Sequence, residues 1–217
     1  MEIIFKGALL GFALAFPVGP VGAIVLRIGV AHGPFYGFSA ALGAATADAV
    51  IGAFAAFGLT QAADWLADHQ LEIRLVGIVV MLALAVRLLT APPIDPANAP
   101  DSSRPGLAGP FITTFALVFL NPMTLIAFIG VLAGVGIHEL GLTIAEGLTF
   151  AGAVFVGAAL CWSLVSLTAA LFRHRVNGAM MAGINFVTAT MLVVFAAMLS
   201  VSLLSPEAMP LFATPTR

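Results

Sequence analysis

Long apolar runs, separated by short clusters of charged residues, fill most of the 217-residue chain. A helix needs about 20 mostly apolar residues to cross a bilayer, and six stretches reach that length. They are residues 4–26, 36–60, 72–91, 111–136, 144–172 and 179–204. The pattern therefore predicts an all-α membrane protein with six transmembrane helices.

Two of these stretches have a competing interpretation. The first could be a signal peptide, with Lys6 as its charged region. It runs on through Pro17–Pro20 instead of reaching a small-residue cleavage site, so we predict a retained helix. In the third, Arg74 and Arg87 bracket a short apolar core, Leu75–Val86, and both side chains are expected to reach the membrane interfaces.

One connection is long and divides the chain. Residues 92–110 are rich in Pro, Ala and Ser, which is typical of a flexible linker. The whole chain, 1–217, is then a single membrane domain made of a first half, 1–91, and a second half, 111–217. Each half holds three helices. Because three is an odd number, the second half enters the membrane in the opposite direction, which predicts two inverted three-helix repeats.

The first helix of each half is interrupted at a matching position. Gly7 precedes the dipeptide Gly19–Pro20 at the same spacing as Gly109 precedes Asn121–Pro122. Breaks at corresponding positions of two inverted halves indicate a transporter binding site near the bilayer midplane. A tolerated proline kink is the alternative for either helix alone, but it does not explain the match.

The breaks supply backbone groups for binding. Asn or Gly at an N-cap followed by Pro at the first helical position is a helix-start signature. Amides of the restarted helix suit a carboxylate, and carbonyls freed by the prolines suit an ammonium group or a cation. The candidate substrate-binding residues are Pro17, Gly19, Pro20, Asn121 and Pro122.

Asp48 is the acid that lies deep inside a predicted span. Burial there costs roughly 2.5–3.5 kcal/mol on insertion scales and disfavours the charged form. We predict that Asp48 couples protons or neutralises a substrate amine. The alternative is a structural carboxyl that is satisfied by Thr46 or by amides of a broken helix. Trp162 is interpreted as an anchor or packing residue. Arg27 is interpreted as an interface anchor, with attraction of an anionic substrate as the alternative.

Composition narrows the function further. Charged residues make up 8% of the chain, against about 25% in soluble domains, and the net charge of −2 gives no basic surface for nucleic acid. Cys161, the single cysteine, excludes an intramolecular disulfide framework. No histidine spacing indicates a metal site, and no P-loop or catalytic motif is present. We predict a transporter driven by an ion gradient, with no enzymatic activity, cofactor or bound metal.

Arginine and lysine positions predict the orientation. Five arginines fall in the loops between helices 1–2, 3–4 and 5–6, against Lys6, Arg74 and Arg217 on the other side. The positive-inside rule then places the linker in the cytoplasm and both termini outside. The five arginines are Arg27, Arg87, Arg104, Arg173 and Arg175.

The residues resemble a known family at this point. Gly11–Pro20 and Asp48 resemble the first half of the LysE/RhtB amino-acid exporters, and Phe115–Pro122 resembles the start of their second half. The resemblance covers nearly the whole chain. It implies efflux of amino acids or their derivatives across the bacterial inner membrane, driven by proton exchange. The break residues and Asp48 carry over as the site, while a homodimer is left open.

The chain departs from the family pattern at several positions, and the superfamily offers other functions. Val18 within Pro17–Pro20, and Met123 where relatives often have Lys, leave the preferred substrate charge open; Ala85 and Ala189 replace helix glycines. Metal-cation exporters of the same superfamily are the alternative function, although such a site wants several acids, histidines or cysteines. Thiol-disulfide carriers need a cysteine beside each break, which this chain lacks. A non-transporting scaffold does not account for the breaks.

Overall fold

The computed structural model describes residues 1–15, 19–56, 69–90, 106–121, 124, 128 and 143–204. Within these ranges the chain is helical and contains no strand. We number the helices α1 (Glu2–Leu14), α2 (Pro20–His32), α3 (Pro34–Ala56), α4 (Gln70–Thr90), α5 (Ala108–Phe119), α6 (Ile144–Phe172) and α7 (Gly178–Leu204). A short 3-10 helix, Arg173–Arg175, follows α6.

Four of the described helices are long and apolar enough to cross a membrane. These spans are Pro34–Phe54, Leu71–Thr90, Ile144–Arg175 and Gly178–Val201, and α2 and α5 are shorter apolar helices. Leucines and valines cover the outer faces, as along α6, where Leu160, Leu164, Leu167 and Leu171 are exposed. Large exposed apolar faces of this kind are stable against lipid and not against water.

The last two predicted helices are confirmed. The stretch 144–172 coincides with α6, and the stretch 179–204 differs from α7 by one residue. The side chain of Thr143 accepts from the Glu146 amide and the Glu146 carboxylate accepts from the Thr143 amide, a capping box that fixes the start of α6. Asn177 Oδ1 accepts from the Met180 amide at 2.9 Å, and this N-cap fixes the start of α7.

The predicted loop between the first two helices is wrong. α2 continues to His32 and α3 begins at Pro34, so Gly33 is the one residue between them. Gly33 has φ +96°, a backbone conformation that L side chains rarely adopt, and this lets the chain turn within one residue. Arg27 consequently lies within a helix and not in a loop.

The second half begins earlier than predicted. α5 starts at Ala108, so residues 108–110 of the predicted linker are helical. Pro110 is tolerated there because amides in the first turn of a helix have no intrahelical partner. The rest of the predicted linker up to residue 105, and most of 122–136, lie outside the described residues.

Small residues let the helices approach closely around the central pair, α3 and α6. Alanines 40, 41, 44, 45 and 47 of α3 are fully buried. α1 packs on α6 through glycines of both helices, because side chains at Gly11 and Gly157 would strike the opposite backbone. α5 packs on α3, where the Thr114 hydroxyl donates to the Ala40 carbonyl at 2.6 Å. α4 pairs with α7, and α2 contacts α3, α6 and α7.

The arginines of α4 behave differently from each other. Arg87 is exposed, as predicted for an interface residue, whereas Arg74 is only 7% exposed. Neighbouring parts of the protein cover the Arg74 side chain, and the expectation that it reaches the membrane interface stays a prediction.

Candidate functional site

The first predicted site segment lies at a real interruption between two helices. α1 ends at Leu14 and α2 begins at Pro20, with Gly19 as the N-cap and Pro20 at the first helical position. Gly19 has φ 122° and ψ −167°, a region that is essentially restricted to glycine. Pro17 lies outside the described residues. The local signature of Gly followed by Pro thus starts a helix inside an apolar run, as the sequence predicted.

Gly19→Ala is expected to strain this junction. Among the described residues, a Cβ there would meet only the Phe195 ring, at 3.5 Å from its Cζ atom. The cost therefore comes from the backbone and is about 1–3 kcal/mol. Thermal unfolding in detergent should show a lower Tm for the variant. Gly109→Ala is the matched control, since an added Cβ at Gly109 meets no atom of the described residues within 4 Å. Equal Tm values for the two variants would contradict the strain argument.

The upstream end of the interruption is held by α6. The Cys161 thiol donates to the Ala15 carbonyl at 3.5 Å, and Ala15 is 1% exposed. The sequence suggested that carbonyls freed at the break face an ammonium group or a cation. At Ala15 a protein thiol takes that place, so the end of α1 is anchored to a neighbouring helix.

The second predicted site segment also begins where a helix ends. α5 ends at Phe119, and Asn121 is non-helical and 7% exposed. The Asn121 amide donates to the Val118 carbonyl at 3.2 Å, and the Thr124 amide donates to the Asn121 carbonyl at 3.0 Å. Pro122 lies outside the described residues.

Asp48 is buried where α3 crosses α6. The carboxyl group is 2% exposed, and its Oδ2 accepts from the indole Nε1 of Trp162 at 3.1 Å. The Thr46 hydroxyl donates instead to the Leu42 carbonyl at 2.7 Å, so it is not the partner that the structural alternative suggested. Asp48 is therefore satisfied by a neutral donor from the opposite half of the chain.

Trp162 lies in the core, as its interpretation as a packing residue predicted, and it also makes a polar contact that the sequence did not indicate. Its side chain is 5% exposed and donates to the buried acid. An indole N–H is a donor only, so it stabilises an acceptor without carrying a charge. No sequence signal could have paired these residues, because the pairing depends on which way two largely apolar helices are rotated.

Trp162→Phe is expected to destabilise the protein through this acid. Removing the donor leaves a buried acceptor unsatisfied, which costs about 1–3 kcal/mol. A double-mutant cycle with Asp48→Leu, measured as Tm in detergent, isolates the pair. We expect Trp162→Phe to lower Tm much less in the Asp48→Leu background than in the native chain. Additive effects would show that the indole only fills space.

One turn of α6 contacts both the broken helix and the buried acid. Cys161 contacts the end of α1 and Trp162 contacts Asp48, and these two residues are consecutive. The described ranges contain no group of three or more His, Cys, Asp or Glu side chains that could hold a metal ion. Lys6 and Glu2 form an ion pair at 2.7 Å on the surface of α1, away from this site.

Comparisons with known proteins rest on the sequence. No solved structure matches the chain. The chain is 24% identical over 200 residues, 90% of its own length and 93% of the other, to the "Putative amino acid efflux protein YcgF" of Bacillus subtilis (strain 168). The sequence model of the family described as LysE type translocator matches residues 12–203, so the chain belongs to the LysE type translocator family.

Proposed function

We propose that this translocator exports amino acids or their derivatives across the bacterial inner membrane, in exchange for protons. Family membership makes the chain a multi-pass membrane transporter and not an enzyme. The efflux role named for the similar Bacillus protein supports the amino-acid substrate class. The observation that carries the proposal is the buried Asp48 carboxyl. It is bound by Trp162, and the preceding residue of α6, Cys161, binds the end of the broken helix.

The substrate carboxylate is proposed to bind at the start of α2. After Gly19 and Pro20, the first amides of α2 have no intrahelical acceptor, and the helix dipole adds a partial positive charge there. Asn121 at the end of α5 is proposed as the matching group of the second half, with Pro17 and Pro122 completing the two segments. Asp48 takes the proton or the substrate amine. Such sites at helix breaks are common in transporters with inverted repeats.

The packing of the helices supports two equivalent halves, 1–91 and 111–217, as six helices in inverted repeats. If a two-fold axis relates the halves and the first helix of one packs on the second helix of the other, the reverse contact must also be present. α1 packs on α6 and α5 packs on α3, while α4 and α7, the third helices, pack on each other. Rocking of one half against the other would then open the site to either side.

The orientation proposal gains support from the grouping of the arginines. A Cβ on Gly33 would lie 2.9 Å from Arg173 Nη1, and Arg87 lies close enough for its charge to act on Arg27. The junctions after α2, α4 and α6 therefore share one basic end of the bundle, which we assign to the cytoplasm. Both termini would then be periplasmic. A homodimer is compatible with this arrangement.

A growth screen and a vesicle accumulation assay test the substrate class. Cells that overexpress the chain are challenged with toxic amino-acid analogues, with dipeptides and with cadmium. Everted vesicles from the same cells are given an equimolar mixture of the twenty L-amino acids and a pH gradient, and the contents are analysed. Resistance to analogues and gradient-driven accumulation of amino acids are expected. Resistance to cadmium alone would favour the alternative, a metal-cation exporter, and overturn the proposal.

A further inference from the structure

Arg27 is a partly buried cation on α2, two turns beyond the Gly19 break. Its Nε donates to Asn185 Oδ1 of α7 at 2.7 Å, and Asn185 is 4% exposed. The described residues provide Arg27 with no carboxylate partner. A guanidinium that is held by a neutral amide keeps its charge, and its remaining N–H groups can bind an anion.

The position of Arg27 relates it directly to the proposed site. Gly19 lies against Phe195 and Arg27 against Asn185, so α2 and α7 run antiparallel along each other. Arg27 lies eight positions after Gly19, which corresponds to about 12 Å along the helix. Thr188, which is 2% exposed, lies one turn from Asn185 towards the break. Polar residues therefore continue along α7 from the level of Arg27 towards the substrate site.

The free edge of the guanidinium has the chemistry of a carboxylate site. Arginine carries five N–H donors, and the Asn185 amide oxygen occupies the one on Nε. The four N–H groups on the two Nη atoms form the planar edge that binds a carboxylate bidentately. The Asn185 contact fixes the plane of the guanidinium without neutralising its charge.

We propose that Arg27 and Asn185 form a carboxylate-binding site on the cytoplasmic side of the broken helix. It takes the α-carboxylate of the exported amino acid before that group reaches the amides that follow Gly19. The inference rests on the proposed function and names a second binding position for the same substrate. Arg27 makes the contact with the substrate, and Asn185 is a positioning residue that acts through Arg27.

Asn185→Asp separates this role from a purely structural one. As a clamp between α2 and α7, an Arg–Asp pair would be at least as strong as the present Arg–Asn contact. As a binding site, the new carboxylate would occupy the guanidinium and compete with the substrate. The same substitution thus preserves transport under one interpretation and impairs it under the other.

The test compares a carboxylate with its carboxamide. Everted vesicles take up the L-amino acid that the native chain accumulates fastest, and its unlabelled carboxamide competes. For the native chain we expect the amide inhibition constant to exceed the KM of the acid by about tenfold to a hundredfold. Arg27→Gln and Asn185→Asp should raise the KM of the acid and lower that ratio about tenfold. Arg175→Gln, which removes an exposed arginine just beyond α6, is the control and should keep the native ratio.

The outcomes separate the two proposals. An unchanged ratio in Asn185→Asp overturns the carboxylate site, even if Arg27→Gln fails to fold. An equal rise in the KM of the acid and in the inhibition constant of the amide in Arg27→Gln, with a native Tm, also overturns it. If native vesicles accumulate none of the twenty L-amino acids and the growth screen shows no resistance to analogues or dipeptides, the proposed function itself has failed, independently of any variant.

Discussion

Asp48→Asn is expected to abolish export driven by a proton gradient and to leave a folded protein. Asparagine has nearly the same shape, and its amide oxygen can still accept the hydrogen bond from Trp162 that Asp48 accepts at 3.1 Å. It cannot bind and release a proton. Removing a buried ionisable group also lowers the cost of placing this helix in the membrane. The variant should therefore reach native expression and native Tm.

The measurement is accumulation by everted vesicles at several pH values on the outer face. The native chain should depend on the gradient, and Asp48→Asn should fall to the level of vesicles from cells without the chain. Exchange of labelled for unlabelled substrate, which needs no net proton movement, should persist if Asp48 carries only the proton. Its loss as well would assign Asp48 to the substrate amine.

A second acid provides the control for charge alone. Glu146→Gln removes a carboxylate at the exposed start of α6, and glutamine can replace glutamate in the capping box. This variant should export like the native chain. Native accumulation with unchanged pH dependence in Asp48→Asn would contradict the coupling role.

Gly157→Ala is expected to lower stability more than any other glycine substitution considered above. The added Cβ would approach the Ala8 carbonyl of α1 and lie 2.9 Å from the Phe12 amide nitrogen. Both are backbone atoms, so no side chain can turn aside and the whole of α1 must move. Overpacking of this kind costs typically 1–3 kcal/mol, occasionally more, and we expect a value of about 3 kcal/mol.

Thermal unfolding in detergent, with export measured on the same preparations, checks this expectation. Displacing α1 should also disturb the Ala15 carbonyl that Cys161 holds, so export should fall with Tm. Gly152→Ala, on the same helix, is the matched control, because a Cβ there meets nothing within 4 Å. It should be neutral or slightly stabilising, since alanine favours helix by up to about 1 kcal/mol over glycine. Similar losses in both variants would contradict the close contact of α1 with α6.

The helices were largely predictable because their signals are local. The lengths of the apolar stretches predicted both ends of α6, and they predicted the start of α7 to within one residue. The break before Pro20 and the end of α5 before Asn121 follow from capping and proline chemistry, which depend on a few neighbouring residues. The boundary at Gly33 was missed, because a one-residue junction between two apolar helices leaves no polar segment in the sequence.

The partners within the site were not predictable. Asp48 was identified as a lone intramembrane acid, but its donor Trp162 is 114 residues away. Cys161 reaches Ala15 across 146 residues, and Arg27 reaches Asn185 across 158. Arg74 was expected at an interface and is covered by protein.

The sequence by itself determined that this chain is a membrane protein of apolar helices, where its described helices break, and which acid is buried. Those properties depend on hydrophobic length, on missing proline amides and on the cost of a charge in lipid. Only the tertiary structure decided which groups meet at the interruption. Membrane helices are apolar on nearly every face, so their sequence pattern does not fix how each is rotated against its neighbours. Close packing at small residues fixes that rotation. It brings Cys161 against the end of the broken helix and Trp162 against Asp48.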